Sequence, residues 1–257
     1  MFTPPASMLP PRKILIVTTV GGSTNSAPIF EVCKLLHERG HTIEYATLAH
    51  RETYAALYPF VSAIHVVGRA ITPVEEDALF LRFCEWSWKG KGLRDMIWGK
   101  KFFESFWPET YTNLKRLIES TKPDLVFGDY LVDACGDMQR EYKVPPAVMY
   151  PQWPYFTCPV SYISGTPGLR MDFLTNENAS MWARFNQEIY VLKHILPFVD
   201  LFRWTKRMRA EFGLKMLPVL RKPDHLVLVN SLIGVETPKD VPLLATPVGP
   251  ILLDTYA

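Results

Sequence analysis

The chain has 257 residues, 48% of them hydrophobic, with 28 Lys and Arg against 26 Asp and Glu, a formal net charge of +2. A packed core is expected and electrostatic binding to nucleic acid is not, because neither sign of charge dominates. Four cysteines (Cys33, Cys84, Cys135 and Cys158) stand far apart with no CxxC pair, which argues against a zinc site or a disulfide framework and for reduced, buried thiols in a cytosolic setting.

The N-terminal MFTPPASMLPPRK carries four prolines and no apolar run, so residues 1–11 read as a flexible tail and not as a signal peptide. No stretch approaches 18 consecutive apolar residues, the length of a membrane span. Lys13–Val20 is a β-branched run ending in Gly21-Gly22, the pattern of a buried parallel strand. Behind it Ile29, Val32, Cys33 and Leu36 share one face of a helix. Asn25 or Ser26 is placed to cap that helix, Pro28 to lie in its first turn and Gly40 to end it. Further strands are expected at 42–48, 62–67, 124–128, 147–150 and 225–230, with a helix over about 132–142. Strands alternating with helices predict an α/β fold with a doubly wound, mainly parallel, Rossmann-like sheet. Ligands of such sheets bind outside the carboxyl ends of the strands, so the loops near Asn25, Asp129 and Trp153 should converge on one cleft.

Two insertions interrupt the alternation. Residues 70–120 hold Phe83, Trp86, Trp88, Trp98, Phe102, Phe103, Phe106 and Trp107. Most of these serve packing, with Phe83, Trp86, Trp88 and Trp98 as candidates to line an apolar pocket. Residues 178–222 read as consecutive helices, and 181–222 carry nine Lys and Arg against three Asp and Glu. A solvated helical face is favoured there over contact with a membrane surface. Gln152, Trp153 and Tyr155 leave the fifth strand at the expected cleft and are candidates to bind a ligand. None of the six histidines has metal-ligand spacing with another donor, so no metal site is expected. Gly21-Gly22 is not GxGxxG, which disfavours a nicotinamide cofactor. Asp133 and Asp137 are expected to be solvated. For Asp129, capping of the next helix and catalysis stand side by side as readings.

A strand, a glycine turn, x-x-x-P and a helix ending L-x-x-R-G-H resemble the N-terminal half of family 1 UDP-glycosyltransferases, which have the GT-B fold. KPDLVFGDYLVDACGDMQREYKVP, VMYPQWPYF and LVNSLIGVE…VGPIL resemble three later stretches of that half, in a style closest to fungal members. The resemblance covers residues 12–253. It implies a Rossmann-like acceptor-binding domain over 12–253, the start of an interdomain linker at 254–257, and a donor-binding domain outside this chain. UDP-sugar is then the co-substrate of the complete enzyme, no cofactor is held by this chain, and a small hydrophobic acceptor is its ligand.

One departure bears on chemistry. In the family a catalytic histidine stands three residues before the proline; here that position is Asn25. Its implied partner, Asp129, is present. An amide donates and accepts hydrogen bonds but takes up no proton near neutral pH, and losing a general base costs about 10²–10⁴ in rate. Asn25 is then a helix cap, a substrate-orienting amide or a substitution that silences the site. The leading expectation is the acceptor-binding half of an inverting UDP-glycosyltransferase acting on a phenol, sterol or similar alcohol, inactive without its donor domain. The alternative is a non-catalytic small-molecule-binding or scaffold protein of glycosyltransferase descent.

Overall fold

The computed structural model describes residues 10–89, 93–152, 195–216, 223–232 and 241–251, with 180–182, 185, 189 and 192. These fall into two compact units, Met1–Ala70 with Thr110–Met149 and Ile251–Ala257, and Ile71–Glu109 with Tyr150–Pro250.

The first unit is built on parallel strands. Strands β1 (Lys13–Val17), β2 (Thr42–Leu48), β3 (Val61–Gly68), β4 (Leu125–Asp129) and β5 (Pro146–Tyr150) lie in the order β3-β2-β1-β4-β5. Every pairing among them is parallel, with Val17 beside Gly128 and Asp129 beside Met149. Leu15, Ile16, Val17, Ile43, Val126 and Phe127 are buried, as expected where helices cover both faces. Helices α1 (Ser23–Glu38) and α5 (Ala134–Tyr142) and the greater part of α4 (Trp107–Thr121) belong here. Ile29 and Cys33 of α1 are buried and Val32 and Leu36 half-buried, the face read from the spacing. Phe30 joins them, stacked on Tyr58 at 4.5 Å and edge-on to Tyr45 at 4.9 Å.

The start of α1 differs from expectation. Its cap is Gly22, in extended conformation, and no side chain caps the helix. The turn at Gly21-Gly22 is so tight that the amides of Asn25 and Ser26 already bond to the Gly22 carbonyl, at 3.0 and 3.3 Å. Asn25 therefore lies inside the first turn with its side chain released from capping, and Pro28 falls in the second turn. Proline has no N–H, so the Thr24 carbonyl forgoes its usual helical donor. Gly40, at φ +91°, ends the helix as expected. Strand β1 stops at Val17, three residues early, and β4 runs one residue further than expected, which makes Asp129 its last residue.

In the second unit α2 (Pro73–Lys89) opens with a capping box. The Thr72 amide donates to Glu75 Oε2 at 2.9 Å, and the Glu75 amide donates to Thr72 Oγ1 at 3.3 Å. Helix α3 (Leu93–Glu104) faces α6 (Ile195–Ala210) across a buried charge pair. Arg209 Nη1 reaches Glu104 Oε2 at 3.4 Å, Thr205 Oγ1 donates to the same oxygen at 3.3 Å, and Lys100 lies 3.2 Å from Oε1. The Arg209 guanidinium also lies over Trp107, 4.9 Å from the ring centre. Short parallel strands β6 (Leu226–Val229) and β7 (Ala245–Pro247) close this unit, with Tyr150 packed on Val227, Val229 and Ala245.

Candidate active site

Because β1 and β4 are parallel neighbours in register, the chain leaves both at the same edge of the sheet. That topology brings Asn25 and Asp129 together although 104 residues separate them. Asn25 Nδ2 donates to Asp129 Oδ2 at 3.4 Å. The backbone N–H of Leu131 also faces the carboxylate, while that of Tyr130 donates to the Met149 carbonyl at 3.1 Å. Asp129 is 2% exposed, whereas Asn25 is half-buried and its neighbours Ser23 and Thr24 are exposed. The amide thus stands between solvent and a buried carboxylate.

Gly21 permits this approach. A Cβ at residue 21 would lie 2.5 Å from Asp129 Oδ2 and 2.8 Å from Asn25 Nδ2. The sequence marks Gly21 as a turn residue, but nothing in it reveals that bare backbone is needed against two polar groups.

Burial sets the electrostatics. It pushes the Asp129 carboxyl up from 3.8 to about 6, against the downward pull of the Asn25 amide and of the Leu131 and Tyr130 N–H groups. Desolvation penalises the charged form, and no cation among the described residues offsets it. Burial likewise raises the Cys135 thiol, with Asp129, Asp133 and Asp137 adding to the effect. Asp137 is buried at 1% exposure, together with Ala134, Cys135 and Met138 of α5, which corrects the expectation that it is solvated. A carboxyl that titrates near 6 can take a proton at neutral pH, so the edge offers a base although Asn25 is not one.

The remaining candidates lie in the second unit. Phe83 of α2 is half-buried and stacks with Phe103 at 6.3 Å, while Trp98 of α3 stacks on Phe102 at 5.7 Å. Arg82 bridges these helices, donating to Asp95 Oδ1 at 2.9 Å and lying over Trp98 at 4.7 Å. Gln152 is exposed just past β5. Trp86 and Trp88 fall on α2, but their side chains lie outside the described part, as do Trp153 and Tyr155 altogether. Most of the expected basic helical stretch 178–222 also lies outside it; α6 is its described helix. Among the described residues no group of three His, Cys, Asp or Glu side chains is placed to hold a metal ion. No described helix is long and apolar enough to cross a membrane.

Comparison with known proteins finds relatives that the chain matches over about half of their length. The chain is 46% identical over 249 residues to UDP-glycosyltransferase FPY2 of Fusarium mangiferae, covering 96% of this chain and 46% of that protein. It is 45% identical over 254 residues to a UDP-glycosyltransferase of Talaromyces amestolkiae, covering 98% and 48%. The chain spans about half the length of the curated relatives it matches. Among solved structures it resembles the glycotransferase of kitacinnamycin, with TM-score 0.55, 16% identity, and 86% of this chain and 46% of that one covered. It also resembles spinosyn forosaminyltransferase SpnP, with TM-score 0.53, 12% identity, and 96% and 54% covered. No family model matches the chain. The α/β fold is that of the GT-B glycosyltransferases, and the chain is a homologue of fungal UDP-glycosyltransferases, matching about half of their length.

Proposed function

We propose that the chain is the acceptor-binding half of an inverting UDP-sugar-dependent glycosyltransferase whose acceptor is a lipophilic alcohol such as a phenol or sterol. The donor-binding half, in the same or a separate chain, supplies the UDP-sugar, and this half alone does not transfer. The observation that carries the reading is the buried Asp129 carboxylate beside Asn25 at the carboxyl edge of parallel strands. The acceptor O–H bond breaks and its proton passes to Asp129. The oxygen's electron pair forms the new bond to the anomeric carbon, and the bond to UDP breaks on the opposite face, which inverts the configuration. Asn25, at the position of the family's histidine, takes no proton. Phe83, Trp86, Trp88, Trp98, Gln152, Trp153 and Tyr155 are proposed to contact the acceptor, and aromatic contacts of this kind contribute about 0.5–1.5 kcal/mol each beyond burial.

The test is single-turnover transfer from a UDP-sugar to a phenol by the protein carrying both halves. Asp129→Asn should lower the rate by about 10²–10⁴, and Asn25→His should raise it, because one ring nitrogen would face Asp129 and the other the acceptor. A parental rate in Asp129→Asn would refute the assignment. The second reading, a non-catalytic binding protein, draws on one observation: the residue at the histidine position is an amide. Acceptor binding without transfer in the two-halved protein would favour it.

A further inference from the structure

We infer that Asn25 is a substrate-positioning residue: with one amide hydrogen on Asp129, it offers the second to the oxygen of the acceptor hydroxyl and so aims that hydroxyl's own hydrogen at the carboxylate. This rests on the acceptor-binding reading above and assigns the asparagine a role in it.

Four observations carry it. First, Asn25 does no capping. Gly22 caps α1 without a side-chain bond, so the usual reason for an asparagine at a helix start is absent. Second, the amide has a single hydrogen-bonding partner among the described residues, Asp129 Oδ2. A primary amide nitrogen carries two hydrogens, which leaves one unclaimed. Third, the orientation is fixed by charge. An ionised carboxylate accepts only, so the nitrogen and not the carbonyl oxygen must face it. At 3.4 Å the contact is at the long end of hydrogen bonding, open enough for a third oxygen to share. Fourth, Gly21 leaves the space in front of both groups open, since a Cβ at residue 21 would lie 2.8 Å from Asn25 Nδ2 and 2.5 Å from Asp129 Oδ2. Asn25 is half-buried in front of Asp129, with exposed Ser23 and Thr24 on its outer side.

In this arrangement the acceptor oxygen receives a hydrogen bond from Nδ2 while its proton points to Asp129 Oδ2. As the proton leaves, the Nδ2–H faces an oxygen that gains negative charge, where a preorganised donor is worth most. Asn25 then replaces the proton-taking function of a histidine with a holding function, and the carboxylate does the rest.

The hydroxyl itself is the readout. Binding of 7-hydroxycoumarin and of its methyl ether, 7-methoxycoumarin, is measured by tryptophan fluorescence for the parent chain, Asn25→Ala and the near-isosteric Asn25→Asp. The parent should prefer the hydroxycoumarin by about tenfold, the size of a net hydrogen bond to a partly buried group. Both variants should bring that preference close to one, and a far-ultraviolet circular dichroism spectrum matching the parent's reports that they fold. A preference unchanged in both variants overturns the inference and leaves acceptor binding standing. Failure of the parent to bind either coumarin overturns the acceptor reading and the inference together.

Discussion

Asp129→Asn is expected to stabilise the chain at neutral pH, the opposite of most substitutions at a buried polar residue. Burial lifts the Asp129 carboxyl from 3.8 to about 6. Between those values the folded chain holds a proton that the unfolded chain has released. Stability is therefore full below the unfolded value, falls as pH rises through this window and stays lower above it. Each pH unit between the two is worth about 1.4 kcal/mol. The ionised carboxylate thus destabilises the fold by about 1 kcal/mol at pH 4.5 and about 3 kcal/mol at pH 8. An asparagine has no charge to desolvate, and its carbonyl oxygen can still accept from the backbone N–H of Leu131 that now faces the carboxylate. The gain should reach about 3 kcal/mol at pH 8, a Tm rise on the order of 5–10 °C, and shrink by about 2 kcal/mol at pH 4.5. Urea unfolding of parent and variant, followed by tryptophan fluorescence at both pH values, measures the difference directly. A gap between the two proteins that does not change with pH would refute the reasoning, because it would mean that Asp129 titrates alike in the folded and unfolded states.

Four further outcomes are expected. Transfer by the two-halved protein should rise with pH through about 6, since the base must be deprotonated; a rate flat from pH 5 to 8 counts against Asp129 as that base. Gly21→Ala should disrupt the Asn25–Asp129 contact, because its Cβ would fall 2.5 Å from Oδ2; the variant should lose the preference for 7-hydroxycoumarin over its ether, and retention of that preference would show the turn to be slack. Glu104→Gln should destabilise the chain by about 1.5–3 kcal/mol in denaturant unfolding, since it weakens the charged contacts of this buried carboxylate with Arg209 and Lys100; a loss under 1 kcal/mol would show the pair to be dispensable. Calorimetry of this chain with a UDP-sugar should register no micromolar binding, and a micromolar Kd would place donor recognition in this half.

Much of the first unit was legible in its sequence because the features that build it are local. KILIV, the apolar face of α1 and the glycine at its end each act within a few residues, and each was found within three residues of its expected limits. What escaped depends on approach between distant segments. The capping reading of Asn25 followed a sound preference, yet the Gly21-Gly22 turn is tight enough for the helix to begin before Asn25 is reached. Asp137 looked like a solvated helix residue, and it is buried by tertiary packing of α5 that the helix's own sequence does not show. The pairing of Glu104 with Arg209 spans 105 residues and leaves no periodic trace at all. The Asn25–Asp129 contact is intermediate: parallel neighbours open at one edge by topology, so the meeting could be foreseen, while the 3.4 Å separation and the depth of the carboxylate could not.

That depth bears on the choice between enzyme and binding protein. A protein that only holds a hydrophobic ligand has no use for an acid that costs the fold about 3 kcal/mol at neutral pH. An amide in its place would offer the same hydrogen-bonding outline with no such cost. Substitutions that stabilise are readily available to most folds, and those that remain unused cluster where activity needs the strained or desolvated group. Asp129 has that character: it is buried, among the described residues it draws a backbone N–H and one amide but no cation, and it ends a strand at the edge where α/β proteins bind ligands. A carboxylate kept under those conditions is better matched to accepting a proton than to lining a pocket. On the proposed reading, the amide at position 25 holds the acceptor hydroxyl and the buried carboxylate takes its proton.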